Sequence, residues 1–141
     1  ILMRLPVKHN IWLLLLFVNQ LIASEPPPLT AGIQTRIDVA ISQLYRAEER
    51  QIAIRWDNAK KVSEFICRPA ALAEIQSKDF LKADRVFLGD NNQDSLSLTG
   101  QYHLTGSGEV RADNIWHDFT FQCDIDPVKG IVTYFNIILL P

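Results

Sequence analysis

The hydrophobic pattern of the chain changes its period near residue 83, and this change constrains the fold more than any other feature. Before it, apolar residues such as Ile33 and Ile37 recur at the spacing of a helix. After it, apolar and polar residues alternate, as around Phe119 and Phe121, which is typical of half-buried strands. Helices followed by hairpin-connected strands predict an α+β fold, with N-terminal helices packed on a small antiparallel β-sheet.

The helical part, residues 33–77, is too long for one ordinary helix, so we expect it to be broken. The periodicity is weakest at residues 50–51, where we place the first break. Thr30 is a suitable N-cap for the first helix, and Asp57 is one for the second. Pro69 suits the first turn of a third, short helix.

In the strand part, residues 84–140, glycine and proline mark the interruptions. We predict a bulge at Gly100 within one strand and a turn at Gly106-Ser-Gly108. Residues 126–130, Asp-Pro-Val-Lys-Gly, predict a hairpin loop. Residues 131–140 then predict a final, almost wholly apolar strand.

The first 23 residues have the order of a secretory signal. Arg4 and Lys8 form a positive region, and an apolar run at residues 11–23 ends in small residues. The run is about 13 residues, which is shorter than the roughly 20 that a membrane-spanning helix needs. We therefore expect export to the periplasm with cleavage after Ala23. An uncleaved membrane anchor is the alternative.

The remaining chain is predicted to have a proline-rich spacer at residues 24–32 and a single α+β domain at residues 33–141. Without Arg4 and Lys8, the formal net charge changes from −2 to about −4. No run of basic residues is longer than Lys60-Lys61. Because a nucleic-acid binder needs a basic stripe, nucleic acid is not an expected partner.

The chain has two cysteines, Cys67 at the end of the helical part and Cys123 on the apolar side of a strand. In an exported protein, such a pair predicts one disulfide, which would clamp the helices onto the sheet. A redox-active pair usually shows C-x-x-C spacing, and a structural zinc site requires four ligands. We therefore expect a structural disulfide, with no metal and no cofactor.

Several short motifs are similar to those of a known family. They are Cys67-Arg-Pro-Ala-Ala-Leu-Ala-Glu74, Ala83-Asp-Arg-Val86, Gly108-Glu-Val-Arg111, Trp116-x-x-Phe-x-Phe-x-Cys123, Val132-x-x-Phe135 and the terminal Pro141. Over roughly residues 62–141 the chain resembles the "domain of unknown function 930" family of exported alphaproteobacterial proteins. His117 stands where that pattern has another aromatic residue. The resemblance implies a periplasmic disulfide domain with no assigned activity.

No acid–base pair, nucleophile motif or ligand cluster is evident in the sequence, so no catalytic residue is assigned. The first hypothesis is a non-catalytic binding or accessory protein of the envelope. Its partner would be an unknown protein or envelope component, and Arg111 and Trp116 are the candidate interface residues because exposed Arg and Trp are typical anchors.

Two alternatives stay open. One is a small envelope hydrolase in which folding brings His103, Asp113 and Asp118 together as an acid–base site. The other is a structural protein that forms oligomers through the apolar strand at residues 131–140. The oligomeric state is left undecided by the sequence.

Overall fold

The computed structural model of the protein describes residue 3, residues 27–78 and residues 82–141. The predicted signal segment lies outside these residues apart from Met3. Among the residues described, no helix is both long enough and apolar enough to cross a membrane.

The chain forms the predicted α+β fold, in which helices come first and one antiparallel sheet comes second. The helices are α1 (Ala31–Ser42), α2 (Ala47–Ile54), α3 (Asn58–Val62), a π-helical turn (Ser63–Cys67) and α4 (Arg68–Ser77). The strands are β1 (Ala83–Leu88), β2 (Leu96–Thr99), β3 (His103–Ala112), β4 (Ile115–Ile125) and β5 (Val132–Leu139).

The sheet has the strand order β1-β3-β4-β5, and every pairing is antiparallel. β2 pairs with the first half of β3 and β1 with the second half, so the two short strands share one edge of β3. The core joins one face of the sheet to α1 and α4. Its members include Ile33, Ile37, Ile75, Leu104, Val110, Phe119, Phe121 and Phe135. We call this the inner face of the sheet and the other the outer face.

The predicted disulfide between Cys67 and Cys123 is confirmed. Cys67 ends the π-helical turn, Cys123 lies near the C-terminal end of β4, and both are fully buried. Their Cα atoms are 6.3 Å apart and their positions in sequence differ by 56. The bond therefore joins the helical layer to the second of the long strands.

The predicted N-caps Thr30 and Asp57 are confirmed, although Asp57 caps the third helix, α3, and not the second. Thr30 accepts from the N–H of Ile33 at 3.4 Å, and Asp57 accepts from the N–H of Lys60 at 2.8 Å. Pro69 lies in the first turn of α4. These caps satisfy N–H groups that a helix start leaves without partners.

The predicted break at residues 50–51 is wrong, because Arg50 lies inside α2. The chain leaves the helical conformation at residues 43–46 instead. Arg50 Nη1 donates to the carbonyl oxygens of Leu44 at 2.5 Å and Tyr45 at 3.1 Å, so it closes that loop. The weak apolar periodicity reflects the exposure of α2 to solvent, not an end of the helix.

The C-terminal boundary of the predicted spacer, residues 24–32, lies too far along the chain. Residues 24–26 lie outside the described part of the chain, and Pro27 and Pro28 are exposed. Leu29, however, is buried in the core, and α1 already begins at Ala31. The folded domain therefore includes residues that composition alone assigned to the spacer.

The predicted turn at Gly106-Ser-Gly108 is wrong, since these residues lie within β3. A side chain at Gly106 is excluded because its Cβ would lie 2.2 Å from the carbonyl oxygen of Ser95. A Cβ at Gly108 would lie 2.7 Å from the ring of Phe119. The glycines therefore permit close approach to β3 where β1 ends and β2 begins.

The turns lie elsewhere. Gly100 and Gln101, with φ of 60° and 72°, connect β2 to β3, so the predicted bulge at Gly100 is a turn. Asp113 and Asn114, with φ of 52° and 64°, connect β3 to β4 as a two-residue hairpin. Asp and Asn tolerate this left-handed conformation, which a tight hairpin requires. The predicted loop at residues 126–130 is confirmed.

Candidate functional site

The helices that the structure describes leave the outer face of the sheet uncovered. Along β4, the residues from Phe119 to Ile125 alternate between buried on the inner face and half-buried or exposed on the outer face. Along β3 and β4 the outer face is mostly polar, as expected for an antiparallel sheet with one solvated side. Its long strands present His103, Thr105, Glu109, Arg111, Trp116, Asp118, Thr120, Gln122 and Asp124.

Trp116, a predicted interface residue, lies at one end of this face and is 41% exposed. Its ring stacks on that of Phe87 from β1, with 5.7 Å between the centroids and 28° between the planes. Arg111 lies directly opposite Trp116 in the register, and its guanidinium carbon is 5.8 Å from the Trp116 centroid. The indole is therefore held between an aromatic ring and a cation, with part of its surface still open to solvent.

Arg111 is itself fixed by Asp84. Its Nε donates to Oδ1 at 3.0 Å and its Nη2 to Oδ2 at 2.6 Å, which is the bidentate geometry of a strong charge-assisted pair. The hydrogen bond from Arg111 lowers the pKa of Asp84. We name Asp84, Phe87, Arg111 and Trp116 the outer-face cluster.

A second guanidinium supports the cluster from the opposite side. Arg68 of α4 lies 4.6 Å from the centroid of the Phe87 ring and donates from Nε to the carbonyl oxygen of Val86 at 3.0 Å. Glu64 accepts from Arg68 Nη1 at 2.8 Å. Each ring of the aromatic pair therefore has an anchored guanidinium group close to its centroid, which restricts its motion.

Two carboxylates adjoin the cluster. Glu109 and Asp118 are directly opposite each other in the β3–β4 register, one position beyond Arg111 and Trp116 on the same face. Within the described residues, no salt bridge involves either of them. The surface thus offers aromatic area, a fixed cation and two carboxylates, which are groups suited to recognition.

The proposed hydrolase constellation does not form. His103 begins β3 and lies opposite Asp124, whereas Asp118 lies six positions earlier in β4. At about 3.3 Å per residue, this places Asp118 roughly 20 Å from the His103 pair. Asp113 is in the hairpin turn at the far end of β3. The prediction that these three side chains converge is therefore wrong.

His103 instead has a partner that the sequence interpretation missed. Its Nδ1 bonds Oδ1 of Asp124 on the neighbouring strand, and Gln122 Nε2 donates to the other oxygen of Asp124 at 3.3 Å. The pair borders a shallow cleft between the β2–β3 turn and the start of β5. In the described part of the chain, no third side chain forms a hydrogen bond with His103. This arrangement orients the imidazole of His103.

The sequence contains the signal for this pair. A two-residue turn at Asp113 and Asn114 fixes the register of β3 against β4, and that register sets His103 opposite Asp124. A turn at residues 106–108 implies a different strand register, so the sequence prediction does not pair His103 with Asp124.

Within residues 27–78 and 82–141, no group of three or more His, Cys, Asp or Glu side chains is placed to hold a metal ion. The chain matches no protein-family model, no curated protein and no solved structure. The resemblance to the "domain of unknown function 930" family therefore stays a prediction.

Proposed function

We propose that this protein is an exported, non-catalytic binding domain of the cell envelope. Its partner, a protein or another envelope component, would dock on the outer-face cluster, with Trp116 and Arg111 at the centre of the contact. The observation that carries the proposal is the partly exposed Trp116 ring, stacked on Phe87 and held by the Arg111–Asp84 pair.

Preorganisation supports binding at this cluster. A side chain that is already restricted loses little conformational entropy when a partner covers it. Trp and Arg are also enriched among residues that dominate binding energies. Trp116 keeps 41% of its surface available while Phe87 and Arg111 fix its orientation.

Export is supported by two independent features. The charged and apolar order of residues 1–23 is typical of a secretory signal. The Cys67–Cys123 disulfide suits an oxidising compartment such as the periplasm.

The proposal is tested by recovering the partner with the full chain. Tagged wild-type protein is expressed in the producing cell, crosslinked in the envelope and purified, and bound components are quantified by mass spectrometry. Trp116→Ala and Arg111→Ala are each expected to reduce recovery of the same component by about tenfold or more. Tyr45→Ala is the matched control, since Tyr45 is an aromatic residue that is 96% exposed and lies outside the cluster.

A partner that is recovered equally by the wild type and both cluster variants would show that it binds elsewhere, and the proposal would fail. Each variant is first shown to unfold in one cooperative transition. A loss of binding can then be assigned to the surface and not to the fold.

The oligomer hypothesis, which uses residues 131–140, meets an obstacle at the free edge of β5. Lys78 Nζ donates to the carbonyl oxygen of Phe135 at 3.2 Å and to Oδ1 of Asn136 at 3.0 Å. A second chain pairing along β5 would have to displace this side chain. Light scattering at high concentration is therefore expected to find monomers.

A further inference from the structure

A large groove lies on the helical side of the protein, away from the outer-face cluster. It runs between α1, the π-helical turn with the start of α4, and the β4–β5 loop, and its volume is about 1040 Å³. The apolar part of its wall is formed by Val39, Phe65, Pro69 and Ile131. Val39 and Ile131 are 51% and 40% exposed, so apolar surface is left open to solvent.

The charges of this groove oppose the overall balance of the chain. The sequence has 16 acidic and 14 basic residues, yet the described residues that line the groove include Arg36 and Lys129 and no carboxylate. Asp126, in the adjoining loop, accepts from the N–H groups of Val128 and Lys129 and is thereby directed into its own loop. The groove therefore favours an anionic occupant.

The two cations lie at one end of the groove. Arg36 donates from Nε to the carbonyl oxygen of Lys129 at 3.1 Å, which brings both residues together beside the start of α1. Its two terminal nitrogens form no hydrogen bond within the described residues. Val39, Ala40 and Gln43 continue the lining toward the other end of α1. From residue 32 to residue 43 this wall is about 16 Å long, with its charge at the start.

The walls of the groove also indicate that its occupant is not a peptide. Most are helices, whose backbone groups bond within the helix. In the loop, the N–H groups of Val128, Lys129 and Gly130 all donate to Asp126. A peptide would leave many of its own backbone groups without partners here, whereas an alkyl chain has none to satisfy.

We propose that this groove binds an anionic amphiphile of the fatty-acid type. The carboxylate would lie against Arg36 and Lys129, and the alkyl tail would lie along Val39, Phe65 and Ile131. This site is independent of the outer-face cluster, so each proposal stands or fails without the other.

Dodecanoate is the probe, titrated into the ¹⁵N-labelled protein below the concentration at which it forms micelles. We expect amide shifts confined to residues of the groove. Decanoate should bind about fourfold more weakly, because two methylene groups fewer are partly buried. Dodecyltrimethylammonium, with a similar tail and the opposite charge, should produce no comparable shifts.

Variants separate the head site from the tail site. Arg36→Gln with Lys129→Gln should weaken dodecanoate binding about fivefold. Arg46→Gln, which removes an exposed cation outside the groove, should leave it unchanged. Ala40→Trp fills the middle of the groove and should abolish the shifts.

Three results would overturn the proposal. The first is the absence of groove shifts with dodecanoate in a protein that is folded. The second is equal binding of the cationic amphiphile, which would indicate unspecific apolar contact. The third is tighter binding of a short apolar peptide with a free C-terminal carboxylate, which would make the groove a peptide site.

Discussion

Arg68 donates from Nε to the carbonyl oxygen of Val86 at 3.0 Å, on the edge of β1 that none of the described strands covers. α4 and its C-cap residue supply two more donors of this kind, Gln76 to Ala83 at 2.7 Å and Lys78 to Phe135 at 3.2 Å. α4 and its C-cap residue thus occupy carbonyl oxygens on two of the edge strands, β1 and β5. Unpaired strand edges are templates for association with other chains, so these contacts obstruct pairing of a second chain along β1 or β5.

Replacing Arg68 and Lys78 together by alanine is expected to promote self-association, because one edge carbonyl on each side becomes available. The onset should move to a roughly tenfold lower protein concentration, as measured by size exclusion with light scattering. Arg46→Ala removes an exposed cation away from both edges and is the control. If the double variant and the control stay monomeric over the same range, edge protection by α4 is not significant.

Reducing the disulfide is expected to lower the free energy of unfolding by about 4 kcal/mol, because the bond limits the freedom of a long loop in the unfolded chain. Cys67 and Cys123 are 56 positions apart, which determines the size of this effect. Urea denaturation of the oxidised and reduced wild type measures it. The Cys67→Ser and Cys123→Ser double variant should resemble the reduced protein and should not respond to reductant. Equal midpoints for oxidised and reduced wild type would contradict the prediction.

The lowered pKa values of Asp84 and Asp126 predict that the protein loses stability in acid. The pKa of Asp84 is lowered by the hydrogen bond from Arg111, and that of Asp126 by the N–H groups of Lys129 and Val128. A carboxyl group whose pKa is lower in the folded state stabilises the protein above its unfolded pKa of about 4 and loses that contribution as the pH falls further. The free energy of unfolding should therefore decrease below about pH 4.

Asp84→Asn and Asp126→Asn should each make the stability less dependent on pH in that range, as followed by thermal unfolding at several pH values. Asp113→Asn is the control, since it removes a turn carboxylate and keeps a residue suited to the left-handed conformation. A control variant with the same change in acid slope would show that general charge repulsion is the cause.

Ser63, at the start of the π-helical turn, is fully buried, and its hydroxyl has no hydrogen-bond partner among the residues that the structure describes. Ser63→Ala is expected to stabilise the protein by about 1 kcal/mol, because it removes a buried polar group without a partner. Chemical denaturation measures the change. Ser42→Ala, at an exposed helix end, removes a bonded hydroxyl and should not stabilise. A loss of stability in Ser63→Ala would mean that the hydroxyl is satisfied in solution.

Much of the architecture follows from the sequence because it depends on periodicity. The helical spacing of Ile33 and Ile37, and the alternation around Phe119, each match a buried face. Caps such as Thr30 and Asp57 act locally, so they too are predictable. The outer-face cluster is only partly predictable from the sequence, because residue type alone indicates Arg111 and Trp116.

Their partners depend on contacts between distant parts of the chain. Asp84 and Phe87 reach the cluster because β1 pairs with β3, and nothing local in the sequence specifies that pairing. The His103–Asp124 pair depends on a register that one misplaced turn conceals. Long-range strand pairing is thus the step at which interpretation of the sequence fails.

Gly106, the first of the two glycines in β3, provides a direct test of the strand pairing. Gly106→Ala is expected to cost roughly 2 kcal/mol or more, because the new Cβ would lie 2.2 Å from the carbonyl oxygen of Ser95, a backbone atom that moves only with its chain. Ser107→Ala, at the next position of the same strand, meets no such contact and is the control. Thermal and urea unfolding measure both variants. If residues 106–108 formed a turn, alanine at position 106 would have no backbone to displace. An unchanged stability of Gly106→Ala would therefore support a turn at these residues and contradict the strand register that pairs His103 with Asp124.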